Sequence, residues 1–265
     1  MKLLDEFVHI GGIKIKNAIP KSTIIETQNL ILSQLKEKSS KKIKKNNLDD
    51  YLNYLLKKNA LLDIQRNLVD YLVYKQQIKK ILLSKKLLNI LNSILGPDLN
   101  YVRSFDMAIN RYEEKGYFFK APHQEFWAGC GLSTIQLWIP IFYENGMGTI
   151  DYYPESHKLG VIPNVNRKPY KIPENIKIKN LKINLGDVFL FHSLTLHNSS
   201  KNNFRKTRVA FPIQISNGEN DSFSGFDYLK DFTELHRGPL KKIKKILGNP
   251  LLTPFRTENR KIIKY

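Results

Sequence analysis

The sequence predicts a mainly β protein with a helical flank, an α+β chain in which about a hundred residues of helix precede an antiparallel barrel or jelly roll. Three observations predict it. Apolar residues recur at helical intervals as far as Leu95, Gly96-Pro97 closes that pattern, and from Tyr101 the apolar runs shorten to strand length between Gly, Asn and Pro breaks.

Pro20 stands ahead of Thr23 and Glu26, which have capping-box spacing, and Ile24, Ile31 and Leu35 follow at helical intervals. A helix is therefore expected from near Ser22. Residues 38–47 are charged and of low complexity; with little to bury they read as an exposed connector, a nucleic-acid patch being the alternative. From Leu48 the apolar groups return and end on Leu87, Leu88, Leu91, Ile94 and Leu95. The strand-like runs are 101–112, 133–143, 147–153, 176–185, 188–192 and 206–215. Beyond Arg237 the chain is basic, and breaks at Gly238-Pro239, Asn249-Pro250 and Pro254 suggest irregular structure or short helices packed across the barrel. The whole reads as one domain of 1–265, with 1–97 the helical flank, 98–216 the barrel core and 217–265 a basic C-terminal segment.

A hydrophobic share of 42% suffices for a sizeable core and excludes wholesale disorder. Lys plus Arg number 43 against 24 for Asp plus Glu, a formal charge of +19, yet only nine of the 43 are arginine. An excess of lysine, isoleucine and asparagine reads as AT-rich coding bias more than as a nucleic-acid groove, which favours arginine for bidentate contacts. Nucleic acid is thus disfavoured as a partner, and an anionic small molecule stays open. The single cysteine, Cys130, allows neither an internal disulfide nor a thiolate cluster and fits a reducing compartment, so a cytoplasmic location is expected. No signal peptide and no run of about 18 apolar residues is found.

Two of the six histidines, His123 and His197, stand in suggestive settings. In His123-Gln124-Glu125 an extended backbone points an imidazole and a carboxylate to one face, as two adjacent metal ligands require. The second setting is 191–199, Phe-His-Ser-Leu-Thr-Leu-His-Asn-Ser, followed by Arg205 and Arg208. Strand alternation lets only one of these arginines line a barrel interior; the functional spacing favours Arg208, which shares a face with Ala210 and Pro212. Two imidazoles and one carboxylate on an octahedral ion leave three positions open, as iron(II) needs to take a chelating co-substrate and oxygen. A zinc hydrolase could use the same ligands but has no use for the arginine.

The order of these residues resembles the phytanoyl-CoA dioxygenase-like branch of the iron(II)- and 2-oxoglutarate-dependent oxygenases. The resemblance runs from about Tyr101 to Ile215. It rests on His123-Gln124-Glu125, where that branch usually has His-Gln-Asp, on the Trp138 strand, and on Glu144-Asn145-Gly146-Met147-Gly148. It continues through Tyr153-Pro154-Glu155-Ser156-His157, Leu185-Gly186-Asp187-Val188, His197-x-Ser199-x-x-Asn202 and Arg208. It implies a double-stranded β-helix, a cupin-like jelly roll, with the N-terminal helices packed on one sheet. It also implies that His123, Glu125 and His197 bind iron(II), and that Arg208, assisted by Ser199, meets the distal carboxylate of 2-oxoglutarate. Asn110, Gln136 and Trp138 would border the co-substrate.

With molecular oxygen, such a site hydroxylates or otherwise oxidises a C–H bond. Glu125 departs from the usual Asp by one methylene, and because a carboxylate is retained, halogenation is disfavoured. Trp127 reads either as a wall of the substrate pocket or, with Phe126, as core. His157 reads as a loop hydrogen-bonder, His192 as part of the wall and Cys130 as a small buried residue. Lys115, Lys120, Lys158, Lys168 and Lys201 around the expected rim favour an anionic substrate, phosphorylated or nucleotide-linked. The alternatives are a noncatalytic barrel binding an anionic glycan or nucleic acid, and a metal-dependent hydrolase or isomerase on the same scaffold.

Overall fold

A computed structural model of the chain describes residues 3–39, 43, 47–112, 121–172, 174, 176–218 and 232–247. Its helices are α1 (Leu3–Ile10), α2 (Lys21–Lys38), α3 (Leu48–Leu55), α4 (Leu61–Tyr74), α5 (Gln77–Leu82), α6 (Lys85–Leu95) and α7 (Pro239–Leu247). The strands are β1 (Gly12–Ile15), β2 (Leu99–Val102), β3 (Ala108–Asn110), β4 (Thr134–Phe142), β5 (Ile150–Tyr152), β6 (Asn164–Val165), β7 (Lys168–Pro169), β8 (Lys179–Asn180), β9 (Val188–His192), β10 (His197–Ser199), β11 (Arg208–Asn217) and β12 (Phe232–His236).

Pro20 occupies the capping position of α2, its φ of −56° already suited to helix entry, and no side chain caps the helix. Thr23 and Glu26 therefore do not form the capping box their spacing suggests. Thr23 is buried within the first turn, and Glu26 pairs instead with Lys80 of α5 at 2.5 Å. At the other end of the flank α6 stops at Gly96, whose φ of +86° suits glycine, immediately before Pro97.

The major sheet has the order β1-β9-β4-β11-β2-β12, with β3 also on β11; the minor sheet is β10-β5-β8. Two strands of the major sheet lie outside 98–216. β1, within the flank read as helical, pairs with β9, and β12, within the basic C-terminal segment and just ahead of the stretch expected to be irregular or helical, pairs with β2. Four residues, Gly-Ile-Lys-Ile, are too few to show alternation between two helices. Of the exposed connector, 40–42 and 44–46 lie outside the described residues, as do Lys115, Lys120 and the tail from 248 onward.

Alternation along β4, β9 and β11 gives the major sheet two apolar faces. Leu137, Leu190, Phe211 and Ile213 join Ile31, Leu52, Leu72 and Leu91 of the helices in one continuous core, so the helices pack on one sheet as expected. Burying each such side chain stabilises the fold by roughly 1.5–3 kcal/mol. On the other face Trp138, Phe189, Phe191 and Ala210 meet Ile150 and Tyr152 of the minor sheet, which makes the two layers a jelly roll. No helix among the described residues is long and apolar enough to cross a membrane.

Candidate metal and 2-oxo acid site

His123 joins the edge of the minor sheet without belonging to a strand. Its backbone exchanges two hydrogen bonds with His197, N to O at 2.9 and 3.0 Å, so the two residues stand directly opposite each other. Opposed residues of an antiparallel pair project to the same face. The imidazoles accordingly lie with ring centroids 4.2 Å apart. Gln124 is extended (φ −106°, ψ 140°), which brings Glu125 round to the same side before the chain turns into a 3-10 turn at Glu125–Ala128.

The three side chains converge. Glu125 Oε1 is 3.5 Å from His123 Nε2 and 3.4 Å from His197 Nε2, and one ligand atom from each residue lies within 4.8 Å of the others. Donor atoms about 2.1 Å from a shared ion stand roughly 3.0–3.4 Å apart at octahedral to tetrahedral angles, close to the spacing seen. Each histidine has its Nδ1 against a backbone carbonyl two residues earlier, Ala121 O at 2.8 Å and Thr195 O at 3.0 Å. With Nδ1 donating there, Nε2 turns its lone pair to the centre, the tautomer a metal ligand needs. Glu125 Oε2 accepts a hydrogen bond from Gln214 Nε2 at 3.2 Å. Gln124, fully buried on the opposite side, donates to Leu194 O and Gly160 O and accepts from Ile162 N, clamping the loop that carries both ligands.

Arg208 opens β11 on the same inner face as Ala210, Pro212 and Gln214, whereas Arg205 is exposed in the preceding loop. Arg208 is 1% exposed, and its guanidinium carbon sits 5.7 Å from the centroid of the Trp138 ring. Nη1 donates to the carbonyls of Gly148, Thr149 (3.2 Å) and Ser200 (3.4 Å), while Nε is buried with no hydrogen-bond partner. Gly148 is obligatory for this cradle, since a Cβ there would run into the Lys201 carbonyl oxygen. Burial draws the Arg208 pKa down to about 10, opposed by the nearby Tyr143, so the group stays cationic at neutral pH. Among the described residues no carboxylate pairs with it. An unpaired buried cation costs several kcal/mol, which an incoming carboxylate would relieve.

A cavity of about 40 Å³ lies against the triad, walled by His123, Glu125, His197, Ser199, Gln136 and Trp138 with a few apolar neighbours; Arg208 is not among its lining residues. Gln136 has its Oε1 buried without a partner. Asn110 does not line the cavity; it faces Arg208 across the β3–β11 pair, with Oδ1 buried and unbonded. Nor does Trp127, which packs with Tyr153, Ile162 and Leu196 in a separate cluster, as its core reading expects. The 3-10 turn that begins at Glu125 ends the alternation that would have carried Trp127 to the ligand face. His157 binds the Val8 carbonyl from a loop position, and His192, half-buried at the end of β9, lies near it with ring centroids 5.9 Å apart. Gln214 is the residue that sequence reasoning missed, although the alternation that groups Arg208 with Ala210 and Pro212 reaches it two residues beyond Pro212.

The donor set suits a divalent cation, and the unpaired arginine suits a carboxylate. A family model described as phytanoyl-CoA dioxygenase (PhyH) matches residues 25–210, more than half of the chain. Among solved structures, the apo form of the non-haem monooxygenase ThoJ is similar at a TM-score of 0.62 and 15% identity, over 89% of this chain and 84% of that one. The nickel complex of ThoJ gives 0.57 at 16% identity over 89% and 84%. The epimerase SnoN, solved with Fe3+, α-ketoglutarate and a nogalamycin compound, gives 0.54 at 13% identity over 82% of each chain. At such identities the likeness is one of fold. A search of curated protein sequences gives no match.

Proposed function

Because the chain belongs to the phytanoyl-CoA dioxygenase family of iron(II)- and 2-oxoglutarate-dependent oxygenases, we propose that His123, Glu125 and His197 hold the iron and Arg208 receives the distal carboxylate of 2-oxoglutarate. The observation that carries this reading is the pairing of a two-imidazole, one-carboxylate cluster with a buried guanidinium that has no counter-ion among the described residues. Bound iron(II) supplies the redox chemistry that couples decarboxylation of 2-oxoglutarate to oxidation of a C–H bond. The chain's own groups bind and orient. Arg208, fixed through Nη1, keeps its Nε side for the carboxylate, a planar fork that sets direction as well as affinity. Ser199, two residues beyond His197 and lining the same cavity, assists it in this reading. Gln136 brings an unsatisfied amide oxygen, Trp138 and Phe191 exclude water, and Asn110 borders the arginine.

The reaction we propose is hydroxylation or a related oxidation of a small anionic metabolite, phosphorylated or nucleotide-linked. Its support is the lysine excess: Lys168 and Lys201 are exposed, while Lys158 is engaged by Glu155 at 2.9 Å. Family membership and the buried arginine both weigh against the hydrolase and the noncatalytic barrel. Anaerobic addition of iron(II) and then 2-oxoglutarate is expected to give a weak visible charge-transfer band. Iron binding with no band on adding the 2-oxo acid would overturn the assignment of Arg208 and the open positions.

A further inference from the structure

Glu125 gives its two oxygens to different partners. Oε1 faces both imidazole Nε2 atoms, at 3.4 and 3.5 Å, while Oε2 is held by Gln214 Nε2 at 3.2 Å. A carboxylate only accepts, so the Gln214 amide must present its NH2 group. We propose that Gln214 is the positioning residue that makes Glu125 a one-oxygen ligand. The inference rests on the reading of Glu125 as a metal ligand and adds what fixes that ligand.

The need follows from chain length. A glutamate carboxylate turns about a terminal torsion that is broad and two-fold, one bond further from the backbone than in aspartate. Left free, it can offer one oxygen or both. Two imidazoles and one oxygen occupy three of six octahedral positions and leave three; a second oxygen leaves two, enough for a chelating 2-oxo acid and nothing more. Gln214 removes that freedom from a strand that is itself immobilised. It lies on β11 opposite Gln136 of β4, and its neighbours Ile213 and Ile215 are buried in the helix-side core. The donated hydrogen bond is charge-assisted and buried, where such bonds count most.

The test is a Co(II) titration of the full-length, metal-free protein, read by affinity and by the visible absorption of the Co(II) centre. Gln214→Met keeps the length and removes the donor; Gln214→Asn keeps the amide but withdraws it by one methylene. Each is expected to weaken Co(II) about 10–100-fold and to alter the spectrum, and either suffices should the other fold poorly. In a Glu125→Ala background the same substitution is expected to change affinity by about 2-fold or less. An unchanged affinity and spectrum, or an equal loss in both backgrounds, overturns the role given to Gln214. Glu125→Ala alone separates the two readings, because wild-type Co(II) affinity in that variant would remove Glu125 from the metal centre altogether.

Discussion

Along β11, Val209, Phe211, Ile213 and Ile215 turn toward the helices, whereas Arg208, Ala210, Pro212 and Gln214 turn toward the minor sheet. The first set is apolar and closely packed. The second holds a cation, two small or rigid residues and an amide. All but the half-buried Pro212 are buried, and a register shift between Val209 and Ala210 is the only irregularity in the pairing with β4. The contrast separates anchoring from chemistry: area buried on one side holds the strand, so the other side can tolerate an unsatisfied charge and a void.

That contrast can be broken by substitution. Phe211→Ala, on the packed side, should destabilise the protein by about 3–5 kcal/mol, measured by urea unfolding, with Co(II) affinity of the folded protein unchanged. Arg208→Met should do the reverse. Its affinity for 2-oxoglutarate should fall by about 2–5 kcal/mol in calorimetry, while stability holds or rises because an uncompensated buried charge is gone. If Arg208→Met unfolds as readily as Phe211→Ala, the inner face is structural too.

A smaller effect sharpens the boundary between the faces at His192, which follows Val188 and Leu190 on the helix side of β9 and lies beside Phe7, at a centroid distance of 6.5 Å. Burial, with help from the neighbouring His157, depresses its pKa to about 4 from an ordinary 6.5. The unfolded chain therefore binds more protons between those values, and stability must fall as pH drops from 6.5 toward 4. His192→Gln should flatten that slope, recovering on the order of 2 kcal/mol near pH 4. An unaltered urea midpoint across this window would relieve His192 of the role and leave His157, also shifted downward by burial, to account for it.

Much of this was legible in the sequence. The helical flank, the Gly96 stop and the runs that become β4, β9 and β11 follow from periodicity alone, because each is long enough to repeat its pattern. Alternation admitted only one of Arg205 and Arg208 to the interior, and the functional spacing favoured Arg208. What stayed hidden was made by backbone or by single residues. Apart from the glycine required at 148, the carbonyls of Gly148, Thr149 and Ser200 that cradle the guanidinium carry no residue-type signature, and His123 reaches the minor sheet as one bridge with no strand around it. Trp127 was ambiguous because a 3-10 turn, invisible to a two-residue period, intervenes after Glu125.

The position of β1 and β12 on opposite margins of the major sheet bears on how the molecule can be divided. A fragment cut at residues 98 and 216 would strip Gly12–Ile15 from β9 and Phe232–His236 from β2, baring two rows of amides and carbonyls. Such rows template pairing between molecules. β1 and β12 thus act as selvedges, keeping the woven middle from unravelling into aggregate, and a minimal catalytic fragment has to carry both.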